Sequence, residues 1–177
     1  MTIGSKSRLR NKRLADARND YRWQTDPELA RLDALSLPTI TFPQYLSEYT
    51  LELYYPSSTR HTLAIETLAS KYIGNCSYYN IDEAKGEAEL GIMIGNRDYW
   101  DKGYGADAIT ALLDYIFRRT NLERIHLKTL DWNTRAQTCF EKCGFRQYGQ
   151  SVRDGCSFLL MEIHRKQWQE RQIEIEA

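Results

Sequence analysis

The stretch YWDKGYGADA, residues 99–108, sets Trp100, Asp101, Lys102, Gly103, Tyr104 and Gly105 directly in front of a segment with helical spacing. Backbone N–H groups at the start of a helix have no partner inside it, and the helix dipole adds partial positive charge there. Glycine removes the side chains that would keep an anion at a distance. DKGYG can therefore cradle a phosphate or pyrophosphate, with Lys102 adding charge from the rim. The same residues also make an ordinary glycine turn between strand and helix, and from this stretch alone both readings stand.

Other chemistries can be set against the rest of the chain. Gly103, Gly105 and Ala108 satisfy the loose G-x-G-x-x-A dinucleotide fingerprint. The context opposes it, because the spacer GNRDYW separates the glycines from the preceding strand and Glu123 falls before the next one. The nucleotide-hydrolase loop G-x-x-x-x-G-K-[ST] is absent. Cys76, Cys139, Cys143 and Cys156 contain no C-x-x-C pair and make no zinc spacing with His61, His126 or His164, so no metal is expected. Cys139 and Cys143 lie four apart on a predicted helix and share a face, and all four are expected as free thiols in a reducing compartment.

Composition narrows the classes further. The 177 residues suit one domain with a substantial core. A hydrophobic content of 42% beside 27% charged residues is that of a soluble globular chain. Lys plus Arg equals Asp plus Glu at 24 each, which gives no net attraction to nucleic acid or an anionic membrane. No apolar run approaches the roughly 20 residues that span a bilayer. The opening MTIGSKSRLRNKRL is basic without a secretory apolar core, so a cytoplasmic location is expected.

The elements that must position the glycines can be read from periodicity. Helices are predicted over 14–23, over 25–35 with Asp26 as N-cap and Pro27 in the first turn, and over 42–55 behind Pro43. Residues 61–68, 71–81 and 87–94 read as a strand meander, with the turn DEAKGE between the last two. A helix over 105–119 carries Ile109, Leu112, Leu113 and Ile116 on one face, and an alternating strand over 124–130 follows. A helix over 133–145 runs from an Asn133 cap to a Gly144 stop, and Asp154-Gly155 turns a hairpin within 146–165. The fold class is α+β: a helical region over 1–60, a sheet-bearing core over 61–165 and a tail over 166–177.

From about residue 60 to 165 the pattern resembles the GCN5-related N-acetyltransferase (GNAT) superfamily, most closely its ribosomal-protein N-acetyltransferase-like (RimJ/RimL-like) and polyamine-acetylating relatives. Three pieces carry it in order: AELGIMIG as the family's fourth strand, WDKGYG as its [Q/R]-x-x-G-x-[G/A] pyrophosphate loop, and NTRAQTCFEKCGF as N-x-x-A-x-x-x-x-E-K-x-G-F. The resemblance implies a mixed, mostly antiparallel sheet of six to seven strands flanked by helices, in which strands 87–94 and 124–130 splay apart. It implies acetyl-CoA as cosubstrate, with pantetheine against the backbone of Ile92, Met93 and Ile94 and the pyrophosphate over Trp100 to Gly105. Asn133 and Phe140 are carried over as cofactor contacts, although an N-cap and core packing also explain them. Trp100 replaces the family's Gln or Arg, and Phe140 stands where many relatives have a proton-donating tyrosine.

The implied activity is direct acetyl transfer to a primary amine: a peptide or protein N-terminus, or a small amine such as a polyamine. The alternative is a non-catalytic acyl-CoA-binding or assembly module on the same fold. Glu87 and Glu89 alternate onto one strand face. Glu89 is the candidate base and Glu87 the residue that draws in a cationic substrate; a solvated strand face is the plainer reading. Cys139, Tyr104, Tyr148 or water are the candidates for the acid. Tyr21, Trp23, Phe42, Tyr45 and Tyr49 wall an acceptor pocket or pack the core. The sequence does not give the oligomeric state; the resemblance leaves a homodimer open, since dimers are frequent among relatives.

Overall fold

The computed structural model describes the backbone of residues 2–176 and the side chains of residues 2–173. Its centre is one sheet of eight strands: β1 (Thr2–Ile3), β2 (Ser7–Asn11), β3 (Arg60–Thr67), β4 (Tyr72–Asp82), β5 (Glu87–Ile94), β6 (Arg124–Leu130), β7 (Arg146–Arg153) and β8 (Cys156–His164), in the order β1-β2-β3-β4-β5-β6-β8-β7. Every neighbouring pair is antiparallel except β5 and β6. The meander is as expected. The sheet exceeds the expected strand number because residues 2–11, read within a helical region, form two strands. In β2, Ser7 on one face and Arg10 on the other are buried but polar, so apolar alternation gives no signal.

Helices α1 (Ala17–Gln24), α2 (Pro27–Leu32) and α3 (Phe42–Tyr54) follow β2. Asp26 caps α2 by accepting from the Glu28 and Leu29 N–H groups, as the Asp-Pro signature predicts. Tyr21, Phe42, Tyr45 and Tyr49 pack on one another with centroids 5.3 to 5.8 Å apart, and Trp23 packs on Tyr72. Tyr21, Phe42, Tyr45 and Tyr49 belong to a second core cluster, and neither they nor Trp23 wall the main cavity.

The crossover from β5 to β6 is α4 (Tyr104–Arg119), which lays Ile109, Leu112, Leu113 and Ile116 on the sheet against Ile65, Ala88, Leu90 and Ile125. All four helix residues are essentially fully buried. At about 1.5 to 3 kcal/mol per large side chain, this stripe is what holds α4 over the gap between its two strands. The tail expected over 166–177 is helical through residue 176, in α6 (Arg165–Glu176). Trp168 packs on Phe117, and the Arg165 guanidinium donates to the carbonyls of Phe117, Thr120 and Leu122 near the end of α4.

Candidate active site

Strands β5 and β6 pair only at Glu87–Arg124, Ala88–Ile125 and Glu89–His126. Beyond Glu89, β5 continues to Ile94 hydrogen-bonded to β4 alone, and β6 continues to Leu130 bonded to β8. The splay leaves one edge of Leu90–Ile94 without its strand partner. A divergence at the carboxyl ends of parallel strands is where open sheets admit ligands.

A cavity of about 740 Å³ opens at this divergence. Ile92, Met93, Ile94, Trp100, Asp101, Gly103, Tyr104, Gly105, Asn133 and Phe140, all read from sequence as cosubstrate contacts, line it. Lys102 does not: its ammonium donates to the Asp98 carbonyl at 2.6 Å, turned away from the rim position expected for it.

Asp101 and Gly103 both have positive φ, 55° and 83°, so the chain turns sharply into α4. Among the described residues no side chain caps that end of the helix. Among the described residues outside its own helix turn, a Cβ on Gly105 would meet only Cys139 Sγ, at 3.3 Å, and Gly105 lines the cavity. Trp100 seals the other side: its Nε1 donates to the Ile94 carbonyl at 2.6 Å, and the Arg135 guanidinium lies 3.9 Å from the centre of its ring. Asn133 caps α5 (Thr134–Lys142) by accepting from Ala136 N–H, while Phe140 is buried edge-on against Phe145.

The position of the loop depends on residues that sequence reading left out. The Asp107 carboxylate, one turn into α4, accepts from Ser5 N–H and hydroxyl, Lys6 N–H, and Ser7 N–H and hydroxyl at 2.6 to 3.1 Å. Burial alone would push this carboxyl up, but the Ser7 and Ser5 hydroxyls and the backbone donors hold it below its ordinary value. Asp107 thus ties the β1–β2 turn to the helix entrance and brings Lys6 Nζ to 3.0 Å from the Lys102 carbonyl. No local pattern announces contacts across a hundred residues of chain.

The carboxylates divide differently from the expectation. Glu87 pairs with Arg124 at 2.7 Å, which also holds Glu162 at 2.6 Å, and Glu87 does not line the cavity. Glu89 is 92% removed from solvent at the pivot of the splay. It accepts from Asn80 Nδ2 at 3.1 Å, faces Lys128 Nζ at 3.4 Å and does not line the cavity. Burial, together with Glu89, raises the Tyr79 hydroxyl above its ordinary range. Asp33, at the C-terminal end of α2, does line the cavity. It is exposed at that space, and partial desolvation by the surrounding chain pushes its carboxyl up to about 6. Of the candidate acids, Tyr104 and Cys139 line the cavity, whereas Tyr148 packs over Arg124 outside it.

Among the described residues no group of His, Cys, Asp and Glu could hold a metal ion, and no helix is long and apolar enough to cross a membrane.

Residues 7–146 match the family model described as the acetyltransferase (GNAT) domain. An uncharacterized N-acetyltransferase of Bacillus licheniformis is 27% identical over 142 residues, which cover 80% of this chain and 79% of that one. Spermidine N-acetyltransferase of Vibrio cholerae, solved with CoA and spermine, superposes with a TM-score of 0.83 at 22% identity over 93% of this chain and 99% of that one. An aminoglycoside acetyltransferase solved with coenzyme A gives a TM-score of 0.78 at 18% identity over 94% and 99% of the two chains.

Proposed function

Because the chain belongs to the GNAT acetyltransferase family, which uses acetyl-CoA to acetylate amines, we propose that its acceptor is a small aliphatic amine carrying more than one positive charge. The supporting observation is the polarity of the cavity. Its lining holds both the uncapped start of α4 with Arg135 and Lys142, suited to a diphosphate, and the carboxylate of Asp33, suited to an ammonium group.

In this reading Gly103 to Gly105 seat the diphosphate, Ile92, Met93 and Ile94 line the pantetheine, and Asn133, Trp100, Asp101 and Phe140 close the walls. Asp33 takes the proton from the incoming ammonium, because a carboxyl near 6 is both largely ionised at neutral pH and basic enough to accept. Glu89, bonded to Asn80 and facing Lys128, does not reach the cavity. The free edge of β5 offers backbone N–H to the carbonyl oxygen as charge develops on it, a contribution on the order of 3 kcal/mol for one donor. Phe140 cannot donate a proton. A thiol whose pKa is near 8.5 leaves without one, and Tyr104 stands in the cavity as the available hydroxyl.

Thiol release from acetyl-CoA over a panel of spermidine, spermine, an aminoglycoside and a peptide with a free N-terminus tests the reading. Turnover is expected with the polyamines, and Asp33→Asn should lower kcat/KM by about 100-fold or more. Turnover confined to the peptide would reject the polycation, and CoA binding without turnover of any amine would favour an acyl-CoA-binding module.

A further inference from the structure

We propose that a second cavity, beside the entrance of α2, binds a small organic anion carrying two or more carboxylate or phosphate groups. It encloses about 370 Å³, toward the lower end for small-molecule sites, and shares no lining residue with the cavity at the β5–β6 divergence.

Three stretches far apart in the chain build it. On α1, Arg22 and Trp23 follow Asn19 by three and four residues, so one helical face carries all three to the cavity. The antiparallel register that sets Gly74 opposite Ile94 brings the start of β4 alongside the end of β5, and the Asn96 N–H donates to the Ile73 carbonyl at 3.0 Å. Lys71 and Tyr72 therefore share the lining with Gly95 and Asn96. Gly95 is buried, and a Cβ there would fall 2.0 Å from Trp23 Cδ2, so the missing side chain lets the indole close against the strand end.

The lining is rich in donors and holds two unmatched charges. Close by, Arg10, Lys12 and Arg97 face Asp16, Asp20 and Asp26 at 2.7, 2.5 and 2.7 Å. Arg22 and Lys71 have no ion-pair partner among the described residues. Asp26 is the one acid in the lining, and it is engaged: it accepts from Arg97 Nη2 at 2.7 and 2.9 Å and caps α2. Glu28, which shares Arg97, stands outside the lining. The Asn96 Oδ1 accepts from the Asp98 N–H at 3.1 Å, which leaves its amide NH2 to donate. An arginine fork suits the paired oxygens of a carboxylate or phosphate, and a lysine ammonium meets a second anionic group as a point charge. A cationic amine would meet two like charges here, so this cavity is not a second acceptor site.

The test adds citrate or fructose 1,6-bisphosphate, at constant ionic strength, to the labelled full chain and follows its nitrogen–proton spectrum with and without acetyl-CoA. The Gly95 and Asn96 amides and the Trp23 indole N–H should shift saturably, with a midpoint on the order of 1 mM or below for at least one of the two probes. Acetyl-CoA should leave that response in place. The tighter probe assigns the anionic group. Replacing both cations, Arg22→Gln with Lys71→Gln, should raise the midpoint at least about tenfold. That variant should melt as the wild type does, since neither side chain is tied to another part of the chain. Shifts that grow without saturating for both probes, a midpoint unchanged in the double variant, a response lost when acetyl-CoA is present, or one confined to Tyr104 through Ala106 would overturn the proposal. The readout needs no turnover, so its failure is distinct from failure of the acceptor reading.

Discussion

Replacing Gly105 by alanine separates folding from binding. Gly105 lies in the first turn of α4, and alanine there is favoured over glycine by up to about 1 kcal/mol. The added methyl meets Cys139 Sγ at 3.3 Å, a contact that a small rotation of the cysteine relieves by a few tenths of an ångström. The variant should therefore be as stable as wild type or up to about 1 kcal/mol more stable, a gain of about 2 to 4 °C in Tm for a chain this long. In the proposed reading the same methyl also crowds the N–H groups offered to the diphosphate. Losing one charge-assisted hydrogen bond costs about 1.5 to 3 kcal/mol, so acetyl-CoA affinity should fall roughly 10- to 100-fold. Calorimetric titration beside thermal melting reads both numbers on one preparation. An intact melting temperature with wild-type affinity would show that the phosphates do not approach this turn.

Three further outcomes follow from the same geometry. Lys102→Ala removes a side chain already turned to the Asp98 carbonyl and should weaken acetyl-CoA binding less than about fivefold, whereas Gly103→Val forces a β-branched residue to φ 83° and should cost at least about tenfold in titration. Asp107→Ala severs the tie to residues 5–7 and should destabilise the fold by about 2 to 4 kcal/mol in urea melts. Because the Asp107 carboxyl is depressed in the fold, its contribution is complete above the ordinary value of 3.8 and is lost as pH falls below it, so wild type and variant should converge in acid. Asp33 runs the other way: its carboxyl is raised to about 6, so folding is favoured below the ordinary value and the advantage is lost as pH rises through 6. Asp33→Asn should thus gain Tm relative to wild type at pH 7.5 over pH 5, while the wild-type rise of kcat/KM between those pH values disappears from the variant.

Much of the fold could be read where one residue pattern answers to one environment. Strand β6 spans the predicted 124–130 because Ile125 and Leu127 alternate against polar neighbours across a sheet buried on that face. Helix α5 sits between an Asn133 cap and Gly144 at φ 97°, both local devices. Strand β2 was hidden because its buried Arg10 is matched by Asp16 and Glu66 at 2.7 and 2.5 Å, partners that appear only when the chain folds back. The cradle was legible for a similar reason to α5, since glycines before a helix are a local signal. The charges were not: Glu87 looked free until the parallel register set Arg124 opposite it, and Asp33 gained its place only because α2 ends over a gap formed by strands far along the chain.

The backbone amides at the entrance of α4 can be observed one at a time. Nitrogen–proton correlation spectra of the labelled full chain, titrated with acetyl-CoA, should show saturable downfield proton shifts at Tyr104, Gly105 and Ala106 at the same midpoint as calorimetric binding. Saturation by the ligand with those three resonances unmoved, and the changes elsewhere, would contradict the account at its centre.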